Sequence, residues 1–216
     1  MSPKTTPSGP VVDAAARAGA RRLQVLQAAE HCFRELGFRG ASIHQISQRA
    51  GMGPGHIYHY FRNKEAIVAG IVEQRLAEVL ERTDALERAG ASAGVVEACV
   101  EQVDVWIAER AASERAAIEL EVLAEAARND AVAQPLREAD AIARARAVQL
   151  LVQDPALRRL GAREVAARQA VANTLFDGLA VRCVADPTLD LGAVGRLIKR
   201  LMRVLFEETD EATGDG

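Results

Sequence analysis

Residues Ala41 to Ala66 read ASIHQISQRAGMGPGHIYHYFRNKEA, and this stretch decides the fold. Ser42 followed three residues later by Gln45 is a capping-box pattern, in which the hydroxyl accepts from a free backbone N–H and the amide reaches back. Ile43, Ile46 and Ala50 fall at i, i+3 and i+7, one face of a helix. Gly51 stands where a left-handed C-terminal cap needs a residue without a Cβ. A second short helix, Pro54 to Tyr60, follows the Gly-Met-Gly break and is rich in His and Tyr. Two short helices joined by a tight glycine turn make a helix-turn-helix.

Upstream, Arg21 to Leu36 reads as a first helix with Leu23, Leu26, Phe33 and Leu36 along one stripe and Ala29 between them. With Ile43, Ile46, Ile57 and Phe61 they are expected to form the core of a three-helix domain. Met1 to Ala20 holds Pro3, Pro7 and Pro10 with little large apolar content, and reads as a disordered arm. Arg17, Arg21 and Arg22 at its end are either solvated charges at a helix start or a basic arm for a minor groove.

The whole chain of 216 residues carries a net charge of −3, which looks wrong for a nucleic-acid partner until it is divided. Met1 to Arg75 has ten Lys and Arg against five Asp and Glu, a balance of +5, and the remainder carries −8. The basic excess lies with the helix-turn-helix, as a phosphate-binding surface requires. All four histidines, His31, His44, His56 and His59, lie there too. Cys32, Cys99 and Cys183 are far apart and form no CxxC pair, which points to reduced cytoplasmic thiols rather than disulfides or zinc. No signal-peptide apolar region and no membrane span are expected. His56 and His59 have a helical metal-binding spacing but no Cys or acidic neighbour, so no metal is expected. No cofactor or catalytic motif is found, and the chain is not read as an enzyme.

The rest reads as helices. Lys64 to about Arg82 joins the two parts without a flexible linker. Segments at about Ala93 to Ala111, Glu114 to Arg128, Pro135 to Val152, Ala162 to Val184 and Leu191 to Phe206 follow, with turns at Asn129-Asp130, Asp154 to Gly161 and Asp186-Pro187. The fold class is therefore all-α: an N-terminal three-helix helix-turn-helix domain (21–66) and a larger helical domain (67–208), flanked by an arm (1–20) and an acidic tail (209–216).

Ala50-Gly51-Met52, Gly55, Ile57-Tyr58-His59-Tyr60-Phe61 and Asn63-Lys64-Glu65, together with Leu36-Gly37-Phe38, resemble the DNA-binding signature of the TetR family of bacterial transcriptional regulators. The resemblance covers about the first third of the chain. Gly53 departs from it where Ser or Thr usually caps the recognition helix, and His56 where Thr or Ser is common. Leu120 to Ala126 and Leu175 to Ala180 are similar to segments of one branch of that family. The resemblance implies a regulator of double-stranded DNA, a repressor released from a palindromic operator by a small-molecule effector. The alternative is an activator or architectural DNA-binding protein without an effector.

Carried over by position, Pro54, Gly55, His56 and Tyr58 are expected to face base edges, and His44 a base or phosphate. Ser42, His59, Tyr60 and Lys64, with Arg39 beside them, are expected on phosphates, Ser42 at a helix N-terminus that favours an anion. Few bidentate readers are present, so DNA shape is expected to matter. The larger domain is expected to dimerise through its last two helices, or else to use them as an internal core pair. The effector is expected near Trp106, Phe176 and Asp177, with Trp106 either pocket wall or plain core. Asp177 and Glu119 either face a cationic ligand or serve as solvated or helix-pairing groups.

Overall fold

A computed structural model of the chain describes residues 10–206. Among these residues there are ten helices and no strand. The chain divides into two compact units, Met1–Ile71 and Val72–Gly216.

In the first unit, α1 (Pro10–Gly40), α2 (Ile43–Arg49), α3 (Pro54–Tyr60) and the start of α4 (Lys64–Ala93) enclose one core. The arm expected through Ala20 is helical from Pro10 onward, and the remainder of that arm lies outside the described residues. The run PVVDAAARAGA explains the correction: Ala is the strongest helix former, and Pro suits a first turn. The helix proper stops at Gly37, whose φ of 71° and ψ of 165° suit only a residue without a Cβ. That break turns Phe38 back against Phe33, ring centroids 5.4 Å apart.

Leu26, Ala29, Phe33, Ile46, Ile57 and Phe61 are buried as the helical stripe predicts, and Ile43 is half-buried. Leu23 and Leu36 are not core: they are 39% and 45% exposed. Val25, Ala28 and Cys32 take those places, because the buried stripe of α1 is centred one residue off the expected one. Ile67, Val68 and Ile71 are buried as well. A Cβ on Gly70 would come within 2.9 Å of the Phe61 ring. The first unit therefore extends to Ile71, beyond the 66–67 division suggested by sequence.

The second unit is built around α5 (Val95–Ala111), which packs against α9 (Ala162–Ala185) and α10 (Leu191–Phe206). Val103, Ile107, Phe176, Leu179, Ile198 and Met202 lie in one apolar cluster. Ion pairs tie the same helices together: Lys199 Nζ lies 2.6 Å from Asp104 and Arg203 Nη2 2.8 Å from Glu97. Helix α4 continues to Ala93 rather than stopping near Arg82, and ends only at Gly94, where φ is 88°. Its second half is held by Arg82 to Glu109 at 3.0 Å and by Glu78 to Arg115 at 3.2 Å.

Helix α6 spans Ser113–Ala126, and α7 spans Asp130–Leu151, starting five residues before the expected Pro135. The cause is Asn129, whose side chain accepts from the Ala131 N–H at 3.2 Å and caps α7. Pro135 then lies inside the helix. The Asp154 to Gly161 turn is also more ordered than expected. It contains α8 (Pro155–Leu160), with Pro155 in the first turn and Asp154 accepting from the Ala156 N–H at 2.9 Å. The acidic tail from 209 on lies outside the described residues.

Candidate nucleic-acid interface

The helix-turn-helix is set by local chemistry. Ser42 is extended and caps α2: its Oγ accepts from the Gln45 N–H at 3.2 Å, and the Ser42 N–H donates back to Gln45 Oε1 at 2.8 Å. The Ser42 hydroxyl also donates to Gln45 Oε1 at 2.7 Å, so its proton is engaged inside the cap. Helix α2 ends at Ala50, and Gly51 follows with φ of 61°, a conformation that favours glycine. Gln24 on α1 donates to the Ala50 carbonyl at 2.7 Å and fixes this corner. Arg49 meets Glu35 of α1 at 2.6 Å.

Helix α3 is only seven residues long and is anchored by one buried side chain, Ile57. Pro54, Gly55, His56, Tyr58 and His59 are exposed, and Tyr60 is half-buried. The helix has an extended N-cap residue, Gly53, that supplies no side-chain bond, and Pro54 in its first turn. A Cβ added at Gly53 or Gly55 would have no heavy atom within 4 Å. His44 is exposed on α2, with its Nε2 3.0 Å from the Gln48 amide nitrogen. The His59 ring stands edge-on to Tyr60, centroids 5.2 Å apart. The surface thus brings imidazoles, a phenol and backbone into one short exposed segment.

Lys64 differs most from expectation. Its ammonium donates to the carbonyls of Phe38 at 2.6 Å and Ala41 at 2.8 Å, and lies 4.7 Å from the Phe38 ring centroid. It closes the C-terminal end of α1 and the approach to α2 instead of pointing outward. The spacing of the Asn-Lys-Glu string carries no trace of this role, because the acceptors lie more than twenty residues away in sequence. Asn63 caps α4, accepting from the Ala66 N–H at 2.8 Å. Arg62, beside α3, is exposed and was not among the expected contacts. Arg22 stacks on the Phe61 ring at 5.1 Å, so this arginine belongs to the fold rather than to an arm.

In the second unit, Trp106 and Phe176 meet edge to face, centroids 5.4 Å apart, with Phe176 in the core and Trp106 packed partly buried against it. Asp177 does not join them. Neighbouring residues on a helix point about 100° apart, and Asp177 turns away from the aromatic pair to Arg110, 3.3 Å away, which leaves its carboxyl partly covered. Arg110 also binds Glu119 of α6. Burial pushes the Asp177 carboxyl above its ordinary range, while the Arg110 guanidinium pulls the other way. Asp177 and Glu119 therefore serve as a helix-pairing triad with Arg110. Gln169 on α9 is buried, and its Oε1 has no hydrogen-bond partner. Among the described residues no cluster of His, Cys, Asp and Glu is suited to hold a metal, and no helix is long and apolar enough to cross a membrane.

Residues 25–71 match the family model described as bacterial regulatory proteins, tetR family. The chain is 32% identical over 120 residues to the HTH-type transcriptional regulator UidR of Escherichia coli K12, covering 54% of this chain and 57% of UidR. It is 31% identical over 70 residues to the HTH-type transcriptional repressor AcnR of Corynebacterium diphtheriae, 31% of this chain and 37% of AcnR. The chain thus spans less than two thirds of the length of these curated relatives. Among solved structures, GusR of Salmonella enterica superposes with a TM-score of 0.65 at 23% identity, covering 87% of this chain and 95% of GusR. FadR of Bacillus subtilis, described in complex with stearoyl-CoA, does so with a TM-score of 0.63 at 20% identity, covering 83% and 96%. At these identities the structural likeness shows the fold.

Proposed function

Since the chain belongs to the TetR family of bacterial regulatory proteins, we propose that it is a dimeric, cytoplasmic DNA-binding regulator, a repressor released from a palindromic operator by a small-molecule effector. The observation that carries this reading is α3. Only Ile57 is spent on the core, and Pro54, Gly55, His56, Tyr58 and His59 are all left exposed on a helix short enough to lie across one major groove. Ser42, His44 and Tyr60 flank it. Ser42 contributes a capped helix start, whose free N–H groups attract a phosphate. Lys64 is assigned to holding this start in place, not to the phosphate itself.

A dimer is supported by apolar side chains that the second unit leaves uncovered. Val171 and Val181 on α9, and Leu197, Leu201 and Val204 on α10, are each half exposed or more. They recur at helical spacing opposite the buried Ile198, Met202 and Phe206, and patches of this kind mark association surfaces. Two such protomers would present their α3 helices to half-sites one helical turn, about 34–36 Å, apart. For the effector we assign the apolar interior beside Trp106 and Phe176, without Asp177. The stearoyl-CoA complex of FadR makes acyl thioesters one class to screen. An effector that favours protomer spacings unsuited to the operator would weaken binding by a coupling free energy of about 1–3 kcal/mol.

Selection from random duplex DNA by the full chain tests this. An inverted-repeat motif is expected, and a folded dimer that enriches no motif, with or without candidate effectors, would overturn the reading.

A further inference from the structure

Among the described residues, Ser47, Thr83, Glu125 and Gln169 are the buried polar side chains, and the first three are satisfied close by in sequence. Ser47 Oγ donates to the His44 carbonyl at 2.8 Å and Thr83 Oγ1 to the Val79 carbonyl at 2.8 Å. Glu125 accepts from Arg128 at 2.8 Å and from Asn129 at 3.1 Å. Gln169 of α9 is the exception. It is 7% exposed, and its Oε1 is, among the described residues, the one buried side-chain oxygen or nitrogen without a hydrogen-bond partner. Buried polar atoms are almost always paired, because an unpaired one forfeits its hydration and gains nothing in return.

Helical spacing sets what lies beside this oxygen. Val165, Gln169, Ala172 and Phe176 fall at i, i+4, i+7 and i+11 of α9 and so share one face. The three apolar members belong to the cluster that α5 and α10 complete. Trp106 of α5 stands edge-on to Phe176, centroids 5.4 Å apart. Gln169 thus lies two turns, about 10 Å, along α9 from that aromatic pair. The ionised groups near this face are already engaged. Arg168 meets Glu164 at 2.9 Å and the Leu205 carbonyl at 2.9 Å, and Arg110 holds Glu119 and Asp177.

We propose that Gln169 is the polar anchor of the effector site: its Oε1 accepts a hydrogen bond from a hydroxyl or N–H of an otherwise apolar, uncharged ligand whose body lies along α9 toward Trp106 and Phe176. This rests on the reading that the effector occupies the apolar interior of the second unit. The ligand is uncharged, since a charge on this face would be buried without a counter-ion. It carries a donor, since an acceptor would meet Oε1 lone pair to lone pair. A saturated alkyl chain leaves the oxygen unpaired, whereas an alcohol of the same length pairs it. One hydrogen bond therefore selects strongly, because the wrong ligand seals an unpaired polar atom into the complex.

The test uses the full chain and two isomeric probes, n-octanol and heptyl methyl ether, which share composition and size and differ in the O–H. Trp106 is the lone tryptophan and packs on Phe176, so its fluorescence reads occupancy of this interior. Thermal unfolding with each probe gives an independent affinity. The wild type should bind octanol about tenfold more tightly than the ether. In Gln169→Leu that preference should disappear, with the ether bound at least as tightly as the alcohol. Equal binding of the two probes by the wild type would overturn the proposal and leave the interior as the effector site. A preference for octanol that survives in Gln169→Leu would also overturn it, because another group would then meet the hydroxyl. If neither probe binds up to its solubility, the interior is closed to such ligands, and the effector reading fails together with the proposal.

Discussion

Lys64→Ala separates a structural lysine from a phosphate-binding one. The ammonium makes two short charge-assisted bonds, to Phe38 O at 2.6 Å and Ala41 O at 2.8 Å, and sits over the Phe38 ring. Such bonds are each worth about 1.5–3 kcal/mol, and a cation over an aromatic face adds about 0.5–1 kcal/mol. Lys64 is only half-buried, so water replaces part of what is lost, and the low end of that range applies. The expected cost is about 2–4 kcal/mol of folding stability. Lys64→Met, which keeps most of the apolar stem, should cost nearly as much. Urea unfolding at fixed protein concentration measures it. The salt slope of DNA binding should stay at the wild-type value, whereas loss of a phosphate contact lowers it by about one. A variant as stable as wild type with a slope reduced by one would refute the structural assignment and return Lys64 to the phosphate.

Gln169→Leu should stabilise the fold by about 1 kcal/mol in thermal unfolding, since it removes a buried Oε1 that has no partner; a loss of stability would show that this oxygen is bonded in solution. Leu201→Glu, on the exposed side of α10, should shift the protein from a dimer to a 23.2 kDa monomer in sedimentation without loss of helicity, and an unaltered dimer would place the contact elsewhere. Glu87 is held below the ordinary carboxylate range by the Gln153 amide and then by the Arg146 guanidinium. Because the folded-state value is lowered, this stabilisation is present at neutral pH and fades as pH falls through the carboxylate range. Gln153→Ala should therefore narrow the stability difference between pH 7 and pH 3, and an identical acid profile would contradict the contact.

How much of this was legible in the sequence depended on the range of the interaction involved. The helix-turn-helix was readable because its determinants are local: Ser42 meets a partner three residues away, and Gly51 and Gly53 punctuate the chain directly. Residues 10–20 were read into the arm because three prolines outweighed an alanine run that is helical from Pro10. Pro135 drew the start of α7 to itself, although Asn129 is the better cap. The contacts of Lys64 were not legible because its partners are distant in sequence and are carbonyls, which carry no residue signature. Phe176 and Asp177 were grouped because they are adjacent, and helical geometry sends adjacent residues to different faces. Exposed Val and Leu on α9 and α10 look in sequence like any other apolar periodicity. Only the fold shows which half of it remains uncovered.

The open space around Gly53 and Gly55 bears on how this protein can diverge. A side chain added at either position meets nothing in the protein, while at Gly70 it meets the Phe61 ring. At Gly53, the N-cap of α3, Ser, Asn or Asp would supply the missing capping bond, and at Gly55, inside the helix, replacing Gly by Ala gains up to about 1 kcal/mol. Polar side chains can therefore be tried at the exposed start of α3, the end proposed to meet DNA, one substitution at a time without a steric cost to select against them. After a gene duplication, two copies could acquire separate operators while retaining the same scaffold.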